Sequence, residues 1–316
     1  LDFDANESID PMIIINKYGS YPAFLQQYEQ DCPYSLSPKK LDYLKFISTK
    51  MASGKRRGEL LILQELLKSS DGSVDIASAA CRSNESTAST IRMLSGEFST
   101  RGEQLIREVD GKIVLDSHFE TALSDPWFRN CVSDVIEFGL SRNEAAFAET
   151  YKDTDFVLNQ KYTREDVCRL LRWAKEPNYQ NVGGYFHDKE TNTFPVFINY
   201  EKDPDISVTT QYEDRFVSDR EIICISKSNR TLQSPEIGNL AHARELGMRC
   251  FLFLRKNKKD KDDGTEFYFL GEMHPTGHFE QIVMEDGSTS AVEITYDLET
   301  PVRADLYDYF LSSFDK

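Results

Sequence analysis

The chain is predicted to be an α+β protein in two halves, the first helical and the second rich in strands. Three observations lead there. Apolar residues recur at helical spacing from Met12 to Phe138. Short apolar runs punctuated by Gly264, Gly271, Gly277 and Gly287 fill the second half. Inside the helical half, Asp110-Gly111 joins two apolar runs, the signature of a tight hairpin.

Residues 1–54 read as a helical connector. Met12, Ile13, Ile14, Ile15, Tyr18, Phe24, Leu25 and Tyr28 are helix-spaced, interrupted by Pro11, Gly19 and Pro22. Pro38 opens a further helix with Leu41, Leu44, Phe46 and Ile47. Such a segment can pack on an upstream domain. Residues 55–117 follow the order of a winged helix. Glu59–Lys68 is a helix with Leu60, Leu63, Leu66 and Leu67 inward, and Asp71-Gly72-Ser73 is a turn. Val74–Cys81 is a short second helix, and Asn84 caps a third that runs to Leu94 with Ile91 inward. Leu105–Val109 and Lys112–Leu115 form the wing. In a DNA reader the third helix enters a major groove. Its expected exposed positions, Glu85, Ser86, Thr87, Ser89 and Thr90, hold no cation, and only Arg92 and nearby Arg82 are positive. That composition favours a structural or protein-contact role, because phosphate contacts dominate affinity for DNA. Residues 118–156 read as a helical linker, with Trp127, Phe128, Val132, Val135, Ile136 and Phe138 on one face.

Residues 157–316 read as a strand-rich, mixed β-barrel-like domain with two packed helices. A short amphipathic helix follows Tyr162 and leads to Gly183-Gly184. Strands are expected at Gly184–His187, Phe194–Tyr200, Ile222–Ser226, Arg249–Arg255, Phe267–Met273, Phe279–Met284 and Ala291–Tyr296. The packed helices are Pro235–Leu246 and Ala304–Phe314, and Lys256–Asp263 reads as a solvated hairpin tip.

Composition narrows the function. With 40% hydrophobic and 12% aromatic residues the chain is an ordered protein. Its net charge of −16 argues against a nonspecific nucleic-acid coat, while leaving room for a local basic patch. Cys32, Cys81, Cys131, Cys168, Cys224 and Cys250 form no C-x-x-C pair and read as reduced thiols. No apolar run reaches about 18 residues and no signal-peptide pattern opens the chain, so a cytoplasmic location away from membranes is expected. The chain opens at Leu1 without a methionine, which suits a fragment of a longer protein.

Motifs for chemistry are sparse. No G-x-x-x-x-G-K-[ST] loop is present. His187-Asp188-Lys189 starts a phospholipase D-like pattern, but Phe194 stands where an Asp is needed. His274-Pro275-Thr276-Gly277-His278 has ligand spacing only on a helix, and its Pro and Gly indicate a strand-connecting turn instead. Asp214, Glu221 and Lys227 form at most a degenerate nuclease set. No cofactor, catalytic residue or metal ligand is assigned. The better case is binding. Asn181, Gly183 and Tyr185 combine an amide, an accessible backbone and a ring for stacking, although a tight turn or bulge uses the same residues. Tyr212 and Arg215 pair an aromatic with a fork-shaped donor, which Glu213 or Asp214 can equally engage. Lys227, Asn229 and Arg230 follow an apolar strand, where they meet either phosphate or solvent.

The motifs QNVGGY, FPVFINY, YEDRF and ISKSNR carry a resemblance from Tyr162 to the carboxyl end. This region resembles the carboxyl-terminal domain of unknown function of bacterial superfamily-2 helicases, often fused to a phospholipase D-like nuclease. The resemblance implies that motor and nuclease lie upstream in a parent protein, and it associates the chain with restriction or phage defence. A looser analogy, resting on strand and helix order, is to SRA-like and other PUA-like folds, which hold an extruded base in an aromatic pocket. The expected function is a noncatalytic module recognising double-stranded DNA, plain or base-modified. The alternative is a protein-docking module of the same helicase, and a metal-dependent nuclease stands third.

Overall fold

The computed structural model describes residues 10–28, 35–80, 86–99, 101–179, 182–200, 214–256, 265–284 and 286–312. They form two compact units, one of Leu1–Asp155 with Arg172–Glu176, the other of Phe156–Leu171 with Pro177–Lys316. The α+β class holds, with helices and sheets in both units.

The first unit runs α1 (Pro11–Tyr18), α2 (Tyr21–Tyr28), α3 (Pro38–Met51), α4 (Arg57–Lys68), β1 (Ser73–Asp75), α5 (Ile76–Ala80), α6 (Thr87–Leu94), β2 (Ile106–Val109), β3 (Lys112–Leu115), α7 (Ser117–Leu123) and α8 (Pro126–Ala146). Proline opens α1, α3 and α8, where a missing N–H costs nothing. Asp10 and Asp125 cap α1 and α8 through their carboxylates. Helix, strand, helix, helix and hairpin follow one another from α4 to β3. Val74 belongs to a strand and not to the expected second helix, because Ser73–Asp75 pairs with β3 and makes the sheet three-stranded. The wing turns through Asp110 (φ 49°) and Gly111 (φ 77°), the two left-handed residues its hairpin requires.

Helix α6 differs from expectation. Ser89 and Thr90 are buried, 1% and 2% exposed, where solvent-facing positions were expected. Helix α6 packs on α4 and α5, and the strip Arg172–Glu176 is tied to Arg92 and to the chain that follows the helix. Arg92 donates to the Arg172 carbonyl (3.3 Å), the Glu176 amide donates to the Phe98 carbonyl (2.7 Å), and the Ser99 hydroxyl donates to the Glu176 carboxylate (2.5 Å). Arg82, Asn84 and Glu85 lie outside the described residues.

The second unit contains β4 (Lys161–Thr163), α9 (Arg164–Leu170), β5 (Thr193–Asn199), β6 (Arg215–Ser218), β7 (Glu221–Ile225), α10 (Pro235–Ala241), β8 (Arg249–Arg255), β9 (Glu266–Val283), β10 (Ser290–Leu298) and α11 (Ala304–Leu311). Thr163 and Asp166 form a capping box that starts α9. One seven-stranded sheet has the order β5-β8-β9-β10-β7-β6, with β4 added to β9. Strands β5 and β8 run parallel, and the other pairings are antiparallel. Among the described residues the sheet does not close, which corrects the barrel-like expectation. Its end strand β5 is bridged on its outer side by the local pairs Tyr185↔Val196 and Asp188↔Thr193, and the other end is the four-residue β6.

Three further elements depart from expectation. Gly184–His187 contributes one isolated bridge, at Tyr185, and no continuous strand. The two strands expected around His274–His278 are one strand, β9, because Pro275 and Gly277 sit in a bulge. Phe279 pairs with Ile294 and Pro275 with Tyr296, so β9 carries two extra residues there, accommodated by Gly277 at φ 93°. Helix α10 stops at Ala241, and turns lead from His242 to Gly247 at φ 62°. The expected helix end beyond Ser312 lies outside the described residues.

The core joins Phe194, Val196 and Ile198 of β5, Leu252 and Leu254 of β8, Ile294 and Tyr296 of β10, and Ile237 and Leu240 of α10. Cys131, Cys168, Cys224 and Cys250 are buried free thiols, and burial pushes those of Cys131 and Cys250 up to about 12. Lys256, expected at a solvated tip, is 1% exposed. Its ammonium donates to the carbonyls of Tyr309 (2.8 Å) and Ser312 and to the Ser312 hydroxyl (2.7 Å), holding the last turn of α11. Lys256→Met keeps the stem and leaves those acceptors without their donor. The expected loss is about 2 kcal/mol, read as a lower urea midpoint with an unchanged m-value.

Candidate functional site

The chain leaves β7 at Ser226, which is tied to Val292 by hydrogen bonds in both directions (2.9 Å each). That clamp sets where Lys227 emerges. Asn229, at φ 61°, turns the chain so that Arg230 faces the start of α10. On the other side Gly184, at φ 85°, delivers Tyr185 into its bridge with Val196.

Tyr185 is the floor of the site. Its ring is 6% exposed, stacks on Phe194 (centroids 5.1 Å apart, 24° between planes) and lies 4.8 Å beneath the Lys227 ammonium. Its hydroxyl accepts from the Lys227 amide (3.2 Å) and donates to Glu236 Oε1 (2.6 Å). Arg230 Nε donates to that same oxygen. Above this network opens a cleft of about 550 Å³ whose lining includes His187, Lys189, Lys227, Arg230, Glu236 and Asn239.

The electrostatics follow from burial and from one acid. Burial draws the Lys227 ammonium below the ordinary lysine value, with Glu236 opposing that shift and Arg230 adding to it. Burial raises the Tyr185 hydroxyl above its ordinary range, and the hydrogen bond to Glu236 raises it further. The hydrogen bond to Glu236 also raises the Arg230 guanidinium.

Of the residues singled out in the sequence, Tyr185, Lys227 and Arg230 come together in this cleft. Gly183 is exposed just ahead of Tyr185, and Asn229 is exposed in the turn. Asn181 and Tyr212 lie outside the described residues. Arg215 does not line the cleft. It makes a bidentate pair with Glu293 of β10 (2.8 and 2.9 Å). The degenerate nuclease set is dispersed. Asp214 accepts from the Ile225 amide (2.9 Å) at one end of β7, while Glu221 begins the other. No group of three or more His, Cys, Asp or Glu is placed to hold a metal among the described residues. His187 is bonded to Asn192 (3.0 Å), and His274 faces Glu299 (3.6 Å). Glu236 and Asn239 were not selected from the sequence. Their signal was present, as polar residues three apart opening a helix after Ser234-Pro235.

Fold and site together define an acidic two-unit α+β protein with a cation-bearing cleft in its second unit. Residues 156–310 match a family model described as "Domain of unknown function (DUF3427)", and residues 1–146 match one described as "Domain of unknown function (DUF8090)". No curated protein matches. Two solved structures overlap weakly. The structure of Arabidopsis thaliana SUVH6 in complex with SAM is 11% identical with a TM-score of 0.36, covering 85% of this chain and 43% of that one. The sulfur binding domain and SRA domain of ScoMcrA complexed with phosphorothioated DNA is 11% identical with a TM-score of 0.31, covering 66% of this chain and 65% of that one. This chain therefore spans less than two thirds of either, and neither overlap is close enough to define its fold.

The Arg215 pair yields a pH prediction. Its hydrogen bonds hold the Glu293 carboxyl below the ordinary glutamate value. The stabilisation is therefore present at neutral pH and is lost as pH falls through the lowered value. Arg215→Gln costs about 0.5 kcal/mol at pH 7, the pair being partly exposed, and the gap from wild type closes in acid. Urea denaturation across pH checks it.

Proposed function

We propose that the chain is a noncatalytic DNA-recognition accessory module, working beside helicase and nuclease domains of a longer protein in restriction or phage defence. One observation carries the reading. On a chain of net charge −16, Lys189, Lys227 and Arg230 gather around one cleft with a buried aromatic floor. A concentrated cationic cleft on an acidic body suits a polyanion bound at one place and repelled elsewhere. The partner is double-stranded DNA, plain or base-modified, and no cofactor is required. The connection to motor and nuclease rests on the resemblance of residues 162–316. The noncatalytic reading is supported by the separation of Asp214 from Glu221 across β7.

The runner-up is protein docking through the first unit. Ile13 and Tyr28 stand 61% and 58% exposed on α1 and α2.

Fluorescence anisotropy of labelled duplexes at low salt tests the DNA reading. The wild-type chain binds, and the Lys227→Ala/Arg230→Ala double variant binds at least roughly tenfold more weakly, with the salt slope reduced by about 1 because Glu236 offsets the Arg230 charge. Absence of wild-type binding to any plain or modified duplex or single strand at low salt would sink it, and a co-purifying protein partner would then favour docking.

A further inference from the structure

We infer that the cleft selects an amino-bearing nucleobase, cytosine or adenine over thymine, with Glu236 and Asn239 as the discriminating residues. The inference rests on the DNA reading above and adds what the cleft distinguishes. Tyr185 and Arg230 both donate to Oε1 of Glu236, so the carboxylate is fixed in direction. Its other oxygen, Oε2, takes part in no hydrogen bond among the described residues. Asn239 lies three residues further along α10, lines the same cleft, and its side-chain amide likewise makes no hydrogen bond among them. A held acceptor next to an uncommitted amide is a built hydrogen-bonding edge, because an unmatched polar group in a binding site costs affinity.

The remaining chemistry fits one nucleotide. A cleft of about 550 Å³ lies in the size range of small-ligand sites and is too small for a duplex. The base must come from a single strand or be turned out of a helix, and the edge presented is the same. Glu236 Oε2 accepts from the exocyclic amino group of cytosine or adenine. A thymine carbonyl in that place would face a carboxylate oxygen, acceptor against acceptor. Lys189 and Lys227 line the same cleft and add positive charge near the attached phosphate.

The test uses the whole 316-residue chain and equal-length labelled strands of dC, dA, dT and abasic sugar-phosphate. Wild type is expected to bind dC or dA about tenfold more tightly than dT or the abasic strand. In Glu236→Gln the single amide oxygen remains with Tyr185 and Arg230, so an NH₂ faces the base and the preference turns toward dT. Asn239→Ala disturbs no internal bond and reduces the discrimination several-fold, which keeps the test usable if Glu236→Gln misfolds. A duplex with one mispaired cytosine that outcompetes the single strand identifies a base turned out of a helix, and the reverse order identifies single strand. Equal wild-type affinity for all four strands, with the loss in Lys227→Ala/Arg230→Ala retained, overturns base selection while the DNA reading stands. No binding to any strand or duplex at low salt overturns both.

Discussion

The parallel pairing of β5 with β8 is the constraint on which the second unit depends. Antiparallel neighbours can be joined by a tight turn, whereas parallel neighbours require the chain to leave the sheet and return in the same direction. Between Asn199 and Arg249 the chain makes that journey, and the detour contains β6, β7 and α10. Strand β7 is inserted beside β10, and α10 then packs Ile237 and Leu240 into the same core that holds Tyr185 and Phe194. Glu236 reaches the Tyr185 hydroxyl because both are anchored to that core. The cleft is a product of the crossover, built from residues far apart in sequence.

That origin explains which parts were legible beforehand. Arg249–Arg255 is a continuous apolar run, as a strand buried on both faces should be, and its limits were readable. The wing was equally clear, since Asp110-Gly111 leaves few alternatives. Strands β4 and β6 were missed because three or four residues of mixed polarity carry no usable period. Pro275 and Gly277 read as a turn because local punctuation cannot distinguish a turn from a bulge in a strand whose partner continues. Within the site, the cations and the tyrosine were individually visible by type. Their convergence was not, nor was the role of Glu236, because an acid near a helix start is most simply a favourable dipole contact.

Several positive groups of this acidic chain are committed within it. Lys256 is enclosed by carbonyls at the end of α11, Arg215 is clamped by Glu293, and Arg92 is directed to the Arg172 carbonyl. The first unit follows the same economy. Its element order is that of a winged helix, yet Ser89 and Thr90 of α6, two of the positions that would have to enter a groove, are buried. Element order describes a scaffold, and a site has to be argued from its exposed chemistry. The cleft on the second unit meets that requirement where α6 does not.

Glu236 is the residue whose presence most needs a reason. A carboxylate among lysines and an arginine lowers attraction for any phosphate, so a cleft built only for grip would leave it out. Here it is held by two donors on one oxygen, next to a half-buried lysine. Structural support for Arg230 alone would need a partner but not one that lines a cleft. Specificity is a difference between affinities, obtained by penalising the wrong ligand as much as by gripping the right one. A fixed acceptor in a cationic site sacrifices general affinity for phosphate and leaves an advantage to ligands that bring a donor. On the reading proposed above, the acid belongs to recognition, and the surrounding cations serve to retain what it has accepted.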